Sequence, residues 1–217
     1  MILFGEPILM TDLKRSKIEW LFFDLGSTLI DEAEVYAQRF SETVRGTDVS
    51  VSAFTETAFR FWAQGLDGYR EALAYHHLEK TPWRSEYERP VEGCAAVLSE
   101  LKRRGYRLGV VANQIPGTAE RLRNWNLLQF FDVIASSAEL GASKPDPGIF
   151  LWALDRAGAK PESTVMIGDR IDNDILPAKA LGMRTVHILT GPASVYAPNT
   201  DPADAAVSSL VDLLTLF

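Results

Sequence analysis

The sequence holds a single cysteine, Cys94, so no disulfide can form within the chain, which suits a reducing cytoplasm. Cys94 opens the apolar stretch Cys94-Ala95-Ala96-Val97-Leu98 and reads as a small buried residue rather than a nucleophile. Positive charge is also in short supply. Twenty-two Lys and Arg face 29 Asp and Glu, a net charge of −7. That balance argues against nucleic acid or an anionic membrane as the main partner. It leaves room for an anionic small substrate beside a local cation. No apolar run approaches the ~20 residues of a membrane span. The first residues, Met1-Ile2-Leu3-Phe4-Gly5-Glu6-Pro7, are too short and too broken for a signal peptide. These absences together point to a cytoplasmic protein. Internal repeats and low-complexity tracts are missing as well.

What remains is an ordinary globular composition, 47% hydrophobic and 24% charged over 217 residues. This fits one large domain, or a core with a smaller insertion, and is long enough to bury a real core. Short apolar runs alternate with amphipathic segments. Ile18–Phe23, Leu108–Ala112, Val165–Ile167 and Thr185–Leu189 read as strands buried on both faces, as in a parallel sheet. Helical patterns cover Val91–Arg104, Gly117–Trp125, Pro147–Ala157 and Ile175–Leu181, with Gly105, Gly158 and Gly182 as stops. The alternation predicts a doubly wound α/β core.

One segment breaks the rhythm. Between Leu29 and about Pro90 no convincing buried strand occurs. The pattern there is helical and rich in aromatics: Phe54, Phe59, Phe61, Trp62, Tyr69, Tyr75, Trp83 and Tyr87. It reads as a small helical insertion whose aromatics form its own core. The expected division is residues 1–30 and 91–217 for the core and 31–90 for the insertion. His76 and His77 are adjacent, so on a helix they point about 100° apart and make a poor metal pair.

In an open α/β sheet, ligands bind outside the carboxyl ends of the strands. Three strand ends carry polar groups there: Asp24-Leu25-Gly26-Ser27-Thr28, Ala112-Asn113-Gln114, and Gly168-Asp169 followed by Asp172 and Asp174. Asp24 has a bland reading as a loop cap, Asp174 as a helix N-cap, and Asp172 as a solvated residue. Lys144, in Ser143-Lys144-Pro145-Asp146-Pro147, is harder to dismiss. A cation beside a helix N-terminus opposes the helix dipole, but both attract the same phosphate. Carboxylates converging from separate strands repel unless a cation sits between them, and oxygen ligands favour Mg²⁺.

These residues resemble a family. Asp24-Leu25-Gly26-Ser27-Thr28-Leu29, Ala112-Asn113, Lys144-Pro145-Asp146-Pro147 and Gly168-Asp169…Asp174 look like the four ordered motifs of the haloacid dehalogenase-like hydrolases. The likeness spans about residues 18 to 190, including the place where that family inserts a helical cap. The resemblance implies a Rossmann-like core and a Mg²⁺-dependent phosphatase of small phosphorylated metabolites. Asp24 would be the nucleophile, forming an aspartyl-phosphate. Asp24, the backbone carbonyl of Gly26, and Asp169 would hold Mg²⁺, with Asp174 supporting the metal site. Lys144 would bind phosphate and balance the charge on Asp24, with Ser27 and Asn113 as further phosphate-binding candidates. The cap would exclude water and select the substrate.

Two positions depart from the family pattern. Gly26 stands where family phosphatases carry a second Asp that protonates the leaving group and then activates water. Ala112 stands where a Thr or Ser hydrogen-bonds the phosphate. A lost general acid/base costs ~10²–10⁴ in rate, and one lost hydrogen bond to a charged group about 1.5–3 kcal/mol. Candidate replacements are Asn113 or Gln114 for the phosphate donor, and His76 or His77 for the proton. A good leaving group, as in an acyl phosphate, would need no acid. The alternative is an impaired protein that binds a phosphorylated ligand without efficient turnover. Imine-forming phosphonate cleavage is set aside because Leu78-Glu79-Lys80-Thr81-Pro82 does not resemble the lysine motif it needs. Dehalogenation is set aside because Gly168-Asp169 keeps the metal site that dehalogenases lack.

Overall fold

A computed structural model describes residues 17–195 and 201–217. The amino-terminal stretch considered for a signal peptide lies outside the described residues. The centre is a six-stranded, all-parallel sheet. Its strands are β1 (Trp20–Phe23), β4 (Arg107–Ala112), β5 (Val133–Ser136), β6 (Thr164–Gly168), β7 (Arg184–Ile188) and β8 (Ala205–Val207), in the order β5-β4-β1-β6-β7-β8. β1 sits in the middle, flanked in parallel by β4 and β6, with Phe23 opposite Val110 on one side and Ile167 on the other. The winding reverses at β1, so the crevice for a ligand opens at its carboxyl end.

The apolar runs alternate between the faces of this sheet. Leu21, Phe23, Leu108, Val110, Val165 and Ile167 point to one side. There they meet α4 (Cys94–Arg103), α5 (Thr118–Asn124) and α9 (Leu213–Leu216). Trp20, Phe22, Val111 and Met166 point to the other, against α7 (Pro147–Ala157) and α8 (Leu176–Ala180). Both faces are covered, which is why the strands read as nearly continuous apolar runs. Cys94 is buried. α7 starts and stops where its sequence says: Asp146 caps it by accepting from the Gly148 N–H, Pro147 begins it, and Gly158 ends it in the left-handed region.

The stretch between β1 and α4 holds α1 (Ala33–Val44), α2 (Val51–Trp62) and α3 (Gly68–His76). Ser50 caps α2 and Asp67 caps α3, each accepting a backbone N–H from the first turn. Phe40, Phe54, Trp62 and Tyr69 are buried among these helices, with Phe40 stacked on Tyr69 at 6.0 Å. The Arg39 guanidinium lies over the Tyr69 ring at 3.9 Å and donates to the Thr81 carbonyl. The chain enters and leaves this helical segment through a two-stranded antiparallel ribbon, β2 (Ile30–Asp31) and β3 (Arg89–Pro90). Both crossings therefore lie side by side, close to the end of β1.

Some elements escaped the sequence reading. β5 and β8 are short and carry small side chains, Ala135 and Ser136 in one and Ala205 and Ala206 in the other, so neither stands out as an apolar run. A wide turn over Ile171–Ile175 precedes α8. It holds Asp174, which is therefore not the N-cap of that helix. Among the described residues no helix is long and apolar enough to cross a membrane.

Phe22 is fully buried on the central strand. Phe22→Ala should lower stability by about 3–5 kcal/mol, read as a lower midpoint in urea denaturation.

Candidate active site

The polar residues after the strands converge where the winding reverses. Asp24 follows β1, and its N–H donates to the Ile167 carbonyl at 2.9 Å, which fixes the strand end. Asn113 follows β4, and Asp169 follows β6. Lys144 reaches in from the loop before α7. Its Nζ donates to Asp24 Oδ1 at 2.6 Å and to Asp174 Oδ1 at 2.5 Å. Lys144, Asp24, Asp169 and Asp174 are all buried. Carboxylate oxygens of Asp24, Asp169 and Asp174 lie within 4.8 Å of one another.

The electrostatics follow from this crowding. Burial, and then the carboxylates of Asp24 and Asp174, push the Asp169 pKa well above its usual range. Burial disfavours the Lys144 ammonium, but Asp174 and Asp24 outweigh it and hold the charge in place. Three carboxylates against one ammonium leave two negative charges uncompensated when all are ionised. Like charges 4–5 Å apart repel by roughly 3–4 kcal/mol at an effective dielectric constant of about 20. Among the described residues nothing hydrogen-bonds the Asp169 carboxylate. An all-oxygen, net-negative pocket of this kind fits a hard divalent cation such as Mg²⁺.

Glycine makes part of this geometry possible. A Cβ at Gly168 would lie 2.4 Å from Asp174 Cγ, so the Asp174 carboxyl can approach β6 only because position 168 has no side chain. The Arg170 N–H then fixes its second oxygen at 3.0 Å. Gly26 is the other case. A Cβ there would lie 2.6 Å from Glu32 Oε1 and 3.0 Å from Glu32 Cδ. The Glu32 carboxyl thus fills the space that a side chain at position 26 would take. Ser27 Oγ donates to Glu32 Oε2 at 3.1 Å. Burial, and then Asp24, push the Glu32 carboxyl up to about 8.

A cleft of about 390 Å³ opens over these groups. Asp24, Gly26, Ser27, Asn113, Lys144, Asp169 and Asp174 line it, as do Glu32, Tyr36, Trp62 and Trp83. Not every candidate sits as expected. Asn113 spends its side chain on Lys144: Nδ2 donates to the Lys144 carbonyl at 2.8 Å, and Oδ1 accepts the Lys144 N–H at 2.7 Å. It positions Lys144 rather than offering that amide to a phosphate. Gln114 Oε1 accepts from Arg121 at 2.6 Å, and the side-chain NH₂ has no partner among the described residues. The Ser27 hydroxyl is turned to Glu32. His76 bonds Thr57 at 3.0 Å within the helical segment, and His77 ends α3 in the left-handed region. Neither histidine lines the cleft. Asp172 is exposed and pairs with Arg170.

Two supports were not visible in the sequence. His187, in the middle of an apolar strand, donates from Nε2 to the Asp169 carbonyl at 3.0 Å and meets Asp201 at 2.6 Å. Burial works against a charged ring, but Asp201 outweighs it and moves the His187 pKa up. Glu32 carried no motif either; its only signal was its place at the foot of the insertion.

The family model of the haloacid dehalogenase-like hydrolases matches residues 21–188. The chain belongs to that family. Among its relatives, glyceraldehyde 3-phosphate phosphatase of Pyrococcus furiosus is 30% identical over 93% of this chain and 93% of its own length. The same-named protein of Methanocaldococcus jannaschii is 39% identical over 59% of this chain, and the match spans 56% of that protein. A haloacid dehalogenase-like phosphatase from Thermococcus onnurineus shares the fold, with a TM-score of 0.64 at 23% identity over 92% of this chain and 97% of that one.

Asn113→Ala removes both bonds to the Lys144 backbone. It should lower stability by about 1–3 kcal/mol, with no smaller a loss for Asn113→Asp, which sets a carboxylate oxygen against the Lys144 carbonyl where Nδ2 donated. Equilibrium denaturation of the two variants checks this.

Proposed function

We propose that this hydrolase is a Mg²⁺-dependent phosphatase of a small phosphorylated metabolite, acting through an aspartyl-phosphate at Asp24. The observation that carries the reading is the buried Lys144 ammonium held between Asp24 and Asp174, with Asp169 alongside, at the floor of a small polar cleft. Asp24 is the one of these carboxylates that directly follows the central strand. Its second oxygen is not used by Lys144 and is available as the nucleophile. Lys144 offsets the negative charge that a phosphate adds next to Asp24. The Asn113 clamp keeps its backbone fixed while it does so.

Asp24, the Gly26 carbonyl and Asp169 would hold Mg²⁺, with Asp174 steadying the site through Lys144 and the Arg170 N–H. Bound there, Mg²⁺ supplies charge neutralisation for the phosphate oxygens and the carboxylates together. The Gln114 NH₂ is the better candidate for the phosphate donor that Ala112 lacks. The cleft volume suits a triose-sized or similarly small ester, in keeping with relatives named as phosphatases of glyceraldehyde 3-phosphate and phosphoglycolate. Tyr36, Trp62 and Trp83 from the helical segment would exclude water and shape the substrate's far end.

The test is phosphate release by the purified protein with Mg²⁺ from glyceraldehyde 3-phosphate, phosphoglycolate, pyrophosphate and acetyl phosphate. Turnover of at least one donor, abolished by Asp24→Asn, is the expected result. Silence towards all of them overturns the reading. Mg²⁺ at about 100 times its Kd should stabilise the fold by about 2.7 kcal/mol. In Asp169→Asn that gain in thermal stability should shrink or vanish.

A further inference from the structure

The helical segment contributes more to the site than a roof. Glu32 sits on the turn from β2 into α1, six residues beyond Gly26 in the chain. It occupies the N-cap position of α1, yet its side chain makes no capping bond. The carboxyl is instead turned back against the loop after β1. One oxygen accepts the Ser27 hydroxyl. The other, Oε1, has no hydrogen bond among the described residues, and it lies where a side chain on residue 26 would begin.

Stability alone does not account for this placement. The charged groups that act most strongly on Glu32 are Asp24, Glu88 and Asp31, all acidic. A carboxyl set among carboxyls, with one hydroxyl as its partner, is a poor choice for holding a loop to a helix. Glutamine would keep the Ser27 bond without the charge. The placement makes sense when the carboxyl has a proton to move beside the nucleophile.

We infer that Glu32 is the general acid and base of this site, reaching from the foot of the helical segment into the space left by Gly26. This rests on the phosphatase reading above. Asp24 Oδ attacks phosphorus, and the bond from phosphorus to the ester oxygen breaks. That oxygen takes the proton of the Glu32 carboxyl and leaves as the alcohol. Glu32, now a carboxylate, takes a proton from water as the water oxygen attacks phosphorus. The bond between phosphorus and Asp24 breaks, inorganic phosphate departs, and Asp24 and protonated Glu32 are restored. The longer side chain of Glu32 compensates for its more distant anchor, and Gly26 is required because any side chain there would displace it.

The experiment compares wild type with Glu32→Gln, which keeps size and the Ser27 bond, on two donors. One is the best alkyl phosphate ester from the panel above, whose leaving oxygen needs a proton. The other is acetyl phosphate, whose acetate leaves unaided. Glu32→Gln should lose about 10²–10⁴-fold in kcat on the alkyl ester. With acetyl phosphate it should still become phosphorylated and should accumulate the phosphoenzyme, seen as one added phosphoryl group by intact mass spectrometry. A second variant pair guards against misfolding. Gly26→Asp alone should be impaired by collision with Glu32. Gly26→Asp combined with Glu32→Ala should regain at least about tenfold over Glu32→Ala, because the acid returns to the same space. Alkyl ester turnover by Glu32→Gln within about threefold of wild type overturns the assignment, since a general acid is worth far more. Equal loss on both donors without phosphoenzyme also overturns it, because Glu32 would then serve only the fold of the site. Wild type silent towards both donors would bring down the phosphatase reading itself, and the role of Glu32 with it.

Discussion

A single buried ammonium organises this molecule's chemistry. Lys144 Nζ bridges Asp24 and Asp174, two carboxylates from different strand ends. Without it, Asp24 and Asp174 would face each other with no ammonium between them. Breaking such a pair leaves uncompensated buried charge, typically at a cost of about 3–5 kcal/mol. Much of the surrounding structure serves to keep that ammonium in place. Asn113 holds its backbone in both directions, Gly168 gives Asp174 room, and His187 ties down the Asp169 carbonyl. The central position of β1 brings all of these ends together.

The site is assembled from two sources. The strand ends of the parallel sheet and the loops that follow them supply Asp24, Lys144, Asp169 and Asp174. The helical segment supplies Glu32, Tyr36, Trp62 and Trp83 on the opposite wall. The β2–β3 ribbon joins them, and Glu32 sits at that junction. A second contact strengthens the link: Glu88, buried beside the ribbon, receives the Trp83 indole N–H at 2.7 Å, with Arg121 of the core 3.4 Å away. Trp83 of the aromatic wall is thereby tied to the core at the same junction.

The two departures from the family pattern differ in physical character. Gly26 is matched by a carboxyl in the vacated space. Ala112 is fully buried, and its neighbour Asn113 is committed to Lys144. The side-chain NH₂ of Gln114, which lines the cleft at that strand end, has no partner among the described residues.

Much of this was legible in the sequence. Unbroken apolar runs ending in Asp24, Ala112-Asn113 and Gly168-Asp169 determine strands buried on both faces, and with them the sheet and its functional edge. The reason is local: strand burial and helix caps are written in neighbouring residues. Lys144 could be named as a charge poorly placed for stability alone, and Asp174 from the resemblance of Gly168-Asp169…Asp174 to a family motif. The placement of Glu32, the commitment of Asn113 to Lys144, and the support from His187 were not legible. Each depends on a contact between residues brought together by the fold, at distances that spacing along the chain does not encode. The sequence by itself determined which residues carry charge to the end of β1. Only the tertiary structure decided which carboxyl stands in the space beside Gly26, because that space is bounded by the absence of one side chain and the return of another from the helical segment.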